Sequence, residues 1–276
     1  MSEIKVHNEG FVKLVDTMPQ QDLDEAIVQA ARVSYSGGTS VTRSSEGLIR
    51  YLLRHWHNTP FEMVEFKFHI KMPIFIARQH LRHRTASVNE LSARYSVVPD
   101  EFYQPDVYRS QSQLNKQSSD GVASLDSQLA AQPNDCSKAA FTVYENLLEA
   151  GCCREQARCH LPQSTYTEFY WKINLHNLMH YLELRMEAGA QEEIRDYATA
   201  IYDLVKHKVP LVMKAFMDFR VNAVRLTGPD VEILKLFGQQ MSMDPNTKYL
   251  KSPGENREFI EKLKKLNFVS QIAWGN

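Results

Sequence analysis

The sequence predicts an α+β fold, a single domain with an antiparallel sheet packed by long helices, and three observations carry that expectation. Val64, Phe66, Phe68, Ile70 and Met72 alternate with Glu65, Lys67, His69 and Lys71, the period of a half-buried antiparallel strand. Elsewhere apolar residues recur at helical spacing, as in Leu48, Ile49, Leu52, Leu53 and Trp56. The 276 residues are 43% hydrophobic and 24% charged, enough apolar side chain for one sizeable core.

Taken in order, residues 11–17 predict a short strand. Residues 21–34 predict a helix bearing Leu23, Ala26, Ile27, Ala30 and Ala31. Ser44 is the expected N-cap of the next helix. After the strand at 64–72, Pro73 can open a helix, because the N–H it lacks is not needed there. A polar stretch runs from Arg82 to Ser96. Residues 109–135 hold six serines and five glutamines among 27 positions, which marks a polar surface insertion, mobile or marginally helical. Ser137 is the expected cap of a helix through Leu148, and Gly151 its stop. Thr165, Thr167, Phe169, Trp171 and Ile173 alternate as a second strand. Asn174 then caps a helix carrying Leu175, Leu178, Met179, Leu182 and Met186. A long helix over about 191–208 and another from Pro210 complete a domain placed at residues 1–225. In residues 226–276, Val231, Ile233, Leu234, Leu236 and Phe237 predict a helical C-terminal extension suited to a subunit interface.

Lys plus Arg number 32 and Asp plus Glu 33, a net charge of −1, which argues against a protein that coats nucleic acid or anionic membrane. No run approaches the roughly 18 apolar residues that span a bilayer, and the N-terminus lacks the regions of a secretory signal. The four cysteines, Cys136, Cys152, Cys153 and Cys159, form no paired CxxC set and are expected to be buried reduced thiols. The expected location is cytoplasmic.

Against that neutral background, residues 78–95 hold Arg78, Arg82, Arg84 and Arg94 with one acid, Glu90. Consecutive Arg82, His83 and Arg84 cannot share one helix face, so they splay around a helix end or turn. Guanidinium forks suit phosphate oxygens and planar heterocycles such as uracil or flavin. Three readings of the cluster compete with a plain solvated face. One is a nucleotide and flavin site. Another is an RNA-binding module that stacks bases on Tyr95, Phe102 and Tyr103. The third is a metal hydrolase using His80, His83 and the i, i+4 pair His176 and His180.

The segment Arg82-His-Arg-Thr-Ala-Ser-Val-Asn-Glu-Leu-Ser92 resembles the signature of flavin-dependent thymidylate synthases: Arg-His-Arg, seven residues, then Ser, with Arg94-Tyr95 following. His57-Asn-Thr-Pro-Phe-Glu62 is similar to that family's His-x-x-Pro-Phe-Glu segment, and Pro73 to Gln79 to the helix before the signature. Arg158, Leu161-Pro162 and Asn174 through Arg185 are similar to later blocks. The resemblance implies methylation of deoxyuridylate to thymidylate in a homotetramer with shared active sites. Methylenetetrahydrofolate would give the carbon and FAD, reduced by NADPH, the hydride, without a covalent cysteine nucleophile. No nucleic-acid polymer, membrane or metal is implied.

Residue by residue, the resemblance puts Thr59, Arg82, His83, Arg84, Glu90, Asn174, His176 and His180 in the FAD site. It puts Gln79, Arg82, Glu90, Leu91, Ser92, Ala93, Arg94, Arg158 and Arg185 in the deoxyuridylate site, with Leu91 and Ala93 acting through their backbone. Arg185 matches the residue that favours loss of the imide proton, since a cation beside the ring stabilises the resulting anion. His57 is a candidate folate contact. His180 stands where the family commonly has Asn, His176 where Arg occurs, and Gly189 where His often precedes the Ala-Gln pair.

Overall fold

The computed structural model describes residues 2–34, 44–113, 116–238, 243–244 and 246–268. The chain divides into two compact units, Met1–Asn222 and Ala223–Asn276. In chain order the first unit contains β1 (Glu3–Val6), β2 (Gly10–Met18), α1 (Leu23–Arg32), α2 (Ser45–Arg54), α3 (Thr59–Glu62), β3 (Glu65–Pro73) and α4 (Ile74–His80). There follow β4 (Ser87–Glu90), β5 (Arg109–Gln111), β6 (Ser119–Val122), α5 (Ser127–Glu149), α6 (Arg154–Ala157) and a 3-10 turn over Arg158–His160. β7 (Tyr166–Asn174), α7 (Leu175–Arg185), α8 (Glu192–Val205) and α9 (Pro210–Phe216) complete it, the last continuing as a π-turn over Met217–Val221.

One antiparallel sheet, ordered β1-β2-β3-β7-β4, forms the centre. The two strands with the clearest alternation pair along their whole length, with Phe68 opposite Trp171 and Ile70 opposite Phe169. Phe66, Phe68, Ile70, Phe169, Trp171 and Ile173 face the helices and are buried. Each fully buried side chain of this size contributes about 1.5–3 kcal/mol of transfer free energy. The opposite face is more open: His69 stacks on Tyr170 at 4.8 Å and meets Glu168 at 2.9 Å. Lys71, assigned by alternation to this polar face, is instead buried, its ammonium paired with Glu101 at 2.6 Å. α8 crosses the sheet closely at Gly10, where a side chain would run into the Tyr197 hydroxyl; that hydroxyl donates to the Lys71 carbonyl at 2.8 Å.

Two expected caps are present. Ser44 Oγ accepts from the Gly47 N–H at 3.2 Å, and Asn174 Oδ1 accepts from the Asn177 N–H at 2.9 Å. Three expectations are corrected. The 82–96 stretch contains a strand, β4, whose four residues are all exposed and which exists by pairing with β7. The 109–135 insertion, expected to be mobile or marginally helical, is largely exposed and divides between the β5–β6 hairpin and the first turns of α5. That helix starts at Asp126, whose side chain accepts from the Leu129 N–H at 2.8 Å, so Ser137 is interior and its Oγ donates to the Pro133 carbonyl. Gly151, at φ 83°, follows the helix end as expected.

A smaller core gathers Val98, Phe102, Phe141, Tyr144 and Ala157. The cysteines are free, but Cys136, Cys153 and Cys159 are exposed and Cys152 half-buried, contrary to the buried thiols expected. In the second unit, α10 (Gly228–Gly238) and α11 (Pro253–Lys265) are helical, with Ile260 and Leu263 packed on Met243, Tyr249, Phe259 and Phe268. Ile233 and Leu236 of the apolar stripe are exposed, and the Phe237 side chain lies outside the described residues. Among the described residues no helix is long and apolar enough to cross a membrane.

Candidate active site

The arginine cluster begins where α4 ends and turns into β4. Arg82 and Arg84 sit exposed on that turn and form no ion pair with a described residue. His83 points back to the end of α7. Arg185, the last residue of α7, donates through Nε to His83 Nε2 at 3.0 Å and through Nη2 to the Gln79 carbonyl at 3.4 Å. Residues 102 and 106 positions apart in sequence thus meet. Burial, then the Arg185 charge, then His180 hold the His83 imidazole down to a pKa of about 4. It is therefore neutral near pH 7 and can accept from Arg185, which keeps a full charge at the site.

His80, one turn earlier, is fully buried, with Nδ1 2.9 Å from the Tyr181 hydroxyl and its ring 4.4 Å from that of Trp171. Burial, helped by His83 and Arg185, drives its pKa down to about 3. That placement removes His80 from any metal set. Among the described residues no group of three or more His, Cys, Asp or Glu is arranged to hold a metal. The base-stacking reading fares no better: Phe102 is buried in the smaller core, and the Tyr103 hydroxyl is held by Glu193 at 3.0 Å.

His176 and His180 line a cleft of about 340 Å³ with Asn58, Trp56 and Arg220. Thr59 adjoins it at the start of α3. The Arg220 guanidinium lies 3.2 Å from the Trp56 ring centroid, and Trp56 is 67% exposed. Burial lowers the His176 pKa, with Glu62 opposing and Arg220 and His180 reinforcing. Asn174 has its Oδ1 committed to capping α7, which leaves its amide N–H groups for any other partner. The Trp56 face, the imidazoles of His176 and His180 and the Arg220 guanidinium suit the planar ring of a flavin such as that of FAD. The volume lies at the low end of the roughly 300–1,000 Å³ of small-molecule sites, room for one ring system and not for a dinucleotide.

The remaining predicted residues lie along β4 and beyond it. Glu90 Oε1 accepts from Thr167 Oγ1 at 2.7 Å, and the Leu91 N–H is spent on the Glu168 carbonyl at 2.8 Å. Ser92 Oγ accepts from the Arg94 N–H at 3.3 Å. The Arg94 side chain pairs with Glu155 at 3.1 Å and lines a separate cleft, of about 480 Å³, together with Cys152 and Cys153. Arg158 is exposed on the 3-10 turn. The structure thus brings together Gln79, His83 and Arg185, and separately His176 and His180, while Arg94 belongs to another cleft. Three residues linked in series to Gln79, namely Arg109, Gln191 and Glu193, carry no site role in the sequence reading, and Tyr103, read there as a base-stacking ring, joins them through Glu193.

Sheet and arginine-rich rim define an α+β protein with an anion-receptive edge beside two neutral histidines, His80 buried and His83 half-buried. Known proteins of this class match it over most of its length. Residues 13–211 match the model of the family described as thymidylate synthase complementing protein. Flavin-dependent thymidylate synthases of Dictyostelium discoideum and Thermus thermophilus are 50% and 51% identical over 84% of this chain, covering 80% and 84% of those proteins. A solved UMP/dUMP methylase, PolB from Streptomyces cacaoi bound with 5-Br dUMP, superposes with a TM-score of 0.70 at 35% identity, over 79% of this chain and 99% of that one. The chain belongs to the flavin-dependent thymidylate synthase family and is an enzyme of the methyltransferase class.

Proposed function

We propose that the protein methylates deoxyuridylate to thymidylate with methylenetetrahydrofolate as carbon donor and FAD, reduced by NADPH, as hydride source. The observation that carries this reading is the convergence of Gln79, His83 and Arg185. A permanent cation fixed by a neutral imidazole is suited to stabilise negative charge on a uracil ring, and its fixed position costs nothing at the moment of reaction. Thr59, Asn174, His176 and His180 would hold FAD at the α7 cleft, with Arg82, His83, Arg84 and Glu90 closing its rim. When bound, FAD supplies the hydride; the protein supplies orientation and charge. Arg94, Arg158 and the backbone around Ser92 and Ala93 would take the phosphate, a near-dianion that favours guanidinium forks. Leu91 and Glu90 would frame the nucleotide from β4.

The reading includes a homotetramer with shared sites. The cleft at α7 is too small for a dinucleotide, and Arg94 lines a cleft whose lining does not include Arg185. No cysteine is needed as nucleophile, since the Gln79, His83 and Arg185 group contains none. The test is direct. Purified protein should be yellow or take up FAD, bleach on addition of NADPH without oxygen, and form thymidylate from deoxyuridylate when methylenetetrahydrofolate is added. Protein that neither retains nor rebinds FAD, or that consumes NADPH without forming thymidylate, overturns the proposal.

A further inference from the structure

Gln79 is one end of a polar chain that reaches into the hairpin insertion. Its Nε2 donates to Gln191 Oε1 at 3.0 Å, and Gln191 Nε2 donates to Glu193 Oε2 at 2.9 Å. The other oxygen, Glu193 Oε1, accepts from Arg109 Nη2 at 2.6 Å and from the Tyr103 hydroxyl at 3.0 Å. Arg109, at the base of the β5–β6 hairpin, is itself fixed by Ser119 Oγ at 3.0 Å and Glu192 at 3.2 Å. Glu193 is buried. Burial alone would raise its pKa, but Arg109, backbone, Gln191 and Tyr103 hydrogen bonds together hold it below the usual carboxylate range. It is an ionised carboxylate.

An ionised carboxylate only accepts hydrogen bonds, whereas a primary amide has one accepting and one donating end. Glu193 therefore dictates the direction of every bond in the chain. Gln191 must turn its NH₂ to Glu193 and its oxygen to Gln79. Gln79 must then give its NH₂ to Gln191, which leaves Gln79 Oε1 over. That oxygen is buried and has no partner. A buried acceptor without a donor costs about 1–3 kcal/mol, and a ligand that brings a donor recovers it.

We infer that Glu193, clamped by Arg109 and Tyr103, is a positioning residue which sets the amide of Gln79, through Gln191, with its carbonyl turned to accept a hydrogen bond from the bound nucleotide. This rests on the deoxyuridylate reading above. It also gives the insertion a role, because the hairpin carries the arginine that orients a substrate contact three links away. The donor offered is the imide N–H of the base or the 3′-hydroxyl of the sugar.

The experiment measures deoxyuridylate affinity by calorimetry on the FAD-loaded protein. Glu193→Gln replaces the pure acceptor by an amide and lets the chain reverse. Affinity should fall about 5–30-fold, the worth of one buried hydrogen bond lost, measured at a temperature where the variant, destabilised by the loss of the Arg109 pair, is still folded. Gln79→Met should fall similarly, and Glu193→Gln should have no further effect in the Gln79→Met background. Arg109→Lys, a second variant that keeps the charge but loses the fork, should move affinity the same way by less. Binding of N3-methyl-deoxyuridylate and of 2′,3′-dideoxyuridylate identifies the donor, because the analogue lacking it should be insensitive to Glu193→Gln. A Glu193→Gln loss that persists in full in the Gln79→Met background, or no loss at all, overturns the inference alone. Wild-type protein that does not bind deoxyuridylate overturns the inference together with the reading on which it rests.

Discussion

Acid should destabilise this protein through its depressed histidines, and among them His80 is displaced furthest, with His83 adding a similar loss down to about pH 4. His80 is fully buried, and its pKa is lowered to about 3 from an ordinary 6.5. Its Nδ1 meets Tyr181, while Nε2 is buried without a partner, so the protonated ring would carry an N–H with nothing to accept it. A folded pKa below the unfolded one means that the unfolded chain takes up a proton first. Stability is therefore fully present above about pH 6.5 and is lost as the pH falls from there toward 3. At pH 5 the solution lies about 1.5 pH units below the pKa of the unfolded histidine, while the folded one is still neutral. That difference is about 2 kcal/mol, at 1.36 kcal/mol per unit. For a chain of this size it lowers the thermal midpoint by about 4–8 °C. Urea unfolding followed by tryptophan fluorescence at pH 8 and pH 5 measures it. His80→Gln, which cannot titrate, should lose about 2 kcal/mol less than wild type between the two pH values, although it starts less stable because Tyr181 is less well matched. Equal losses in the two proteins would show that His80 is solvated or partnered, and would refute the reasoning.

Two further predictions concern the Arg94 cleft. The Arg94–Glu155 pair is about half exposed on both sides, a class of ion pair worth about 0–1 kcal/mol. Glu155→Gln frees Arg94 and should tighten deoxyuridylate binding up to about fivefold at low salt, read by calorimetry; weaker binding would show that Glu155 serves the ligand directly. Cys152 and Cys153 line the same cleft, yet the proposed chemistry uses no thiol. Cys152→Ser and Cys153→Ser should each keep turnover within about twofold, the effect of a mild surface change. Abolished turnover in either would put a thiol into the reaction.

What was legible in the sequence is what local chemistry dictates. β3 and β7 show period-2 alternation because each buries one face by itself, and Ser44 and Asn174 cap their helices through bonds to the next turn. β4 has no such signal: Ser87, Val88, Asn89 and Glu90 are all exposed, and only the pairing with β7 makes them a strand. The start of α5 was hidden by Pro133, which reads as a breaker and lies inside the helix, where it removes one intrahelical hydrogen bond that the rest of the 23-residue helix tolerates. The signature arginines stood out as charge without nearby acids, although Glu155 supplies one to Arg94 from 61 positions on. Glu193 was unread because an acid at a helix start usually faces water. Its spacing to Tyr197, Ala200, Ile201 and Leu204 put it on the buried stripe, and that was the signal to follow.

The dispersal of the candidate site carries a consequence of its own. In one chain, Arg185 gathers with His83 and Gln79, His176 and His180 line the α7 cleft, and Arg94 lines the cleft beside Glu155. A single nucleotide joins a base to a phosphate, so its two ends need both Arg185 and Arg94. If the site is shared, Arg94 of one copy serves the base held by Arg185 of another, and symmetry repeats the arrangement around the assembly. Arg185→Ala and Arg94→Ala should then each abolish turnover alone, yet co-expression of the two should restore roughly a quarter of the sites. Each restored site draws an intact Arg185 from one half of the copies and an intact Arg94 from the other half, at random. If both arginines came from the same chain, no mixed site could hold the pair and co-expression would recover nothing. The recovered fraction of turnover, with the mass of the assembly, separates the two arrangements.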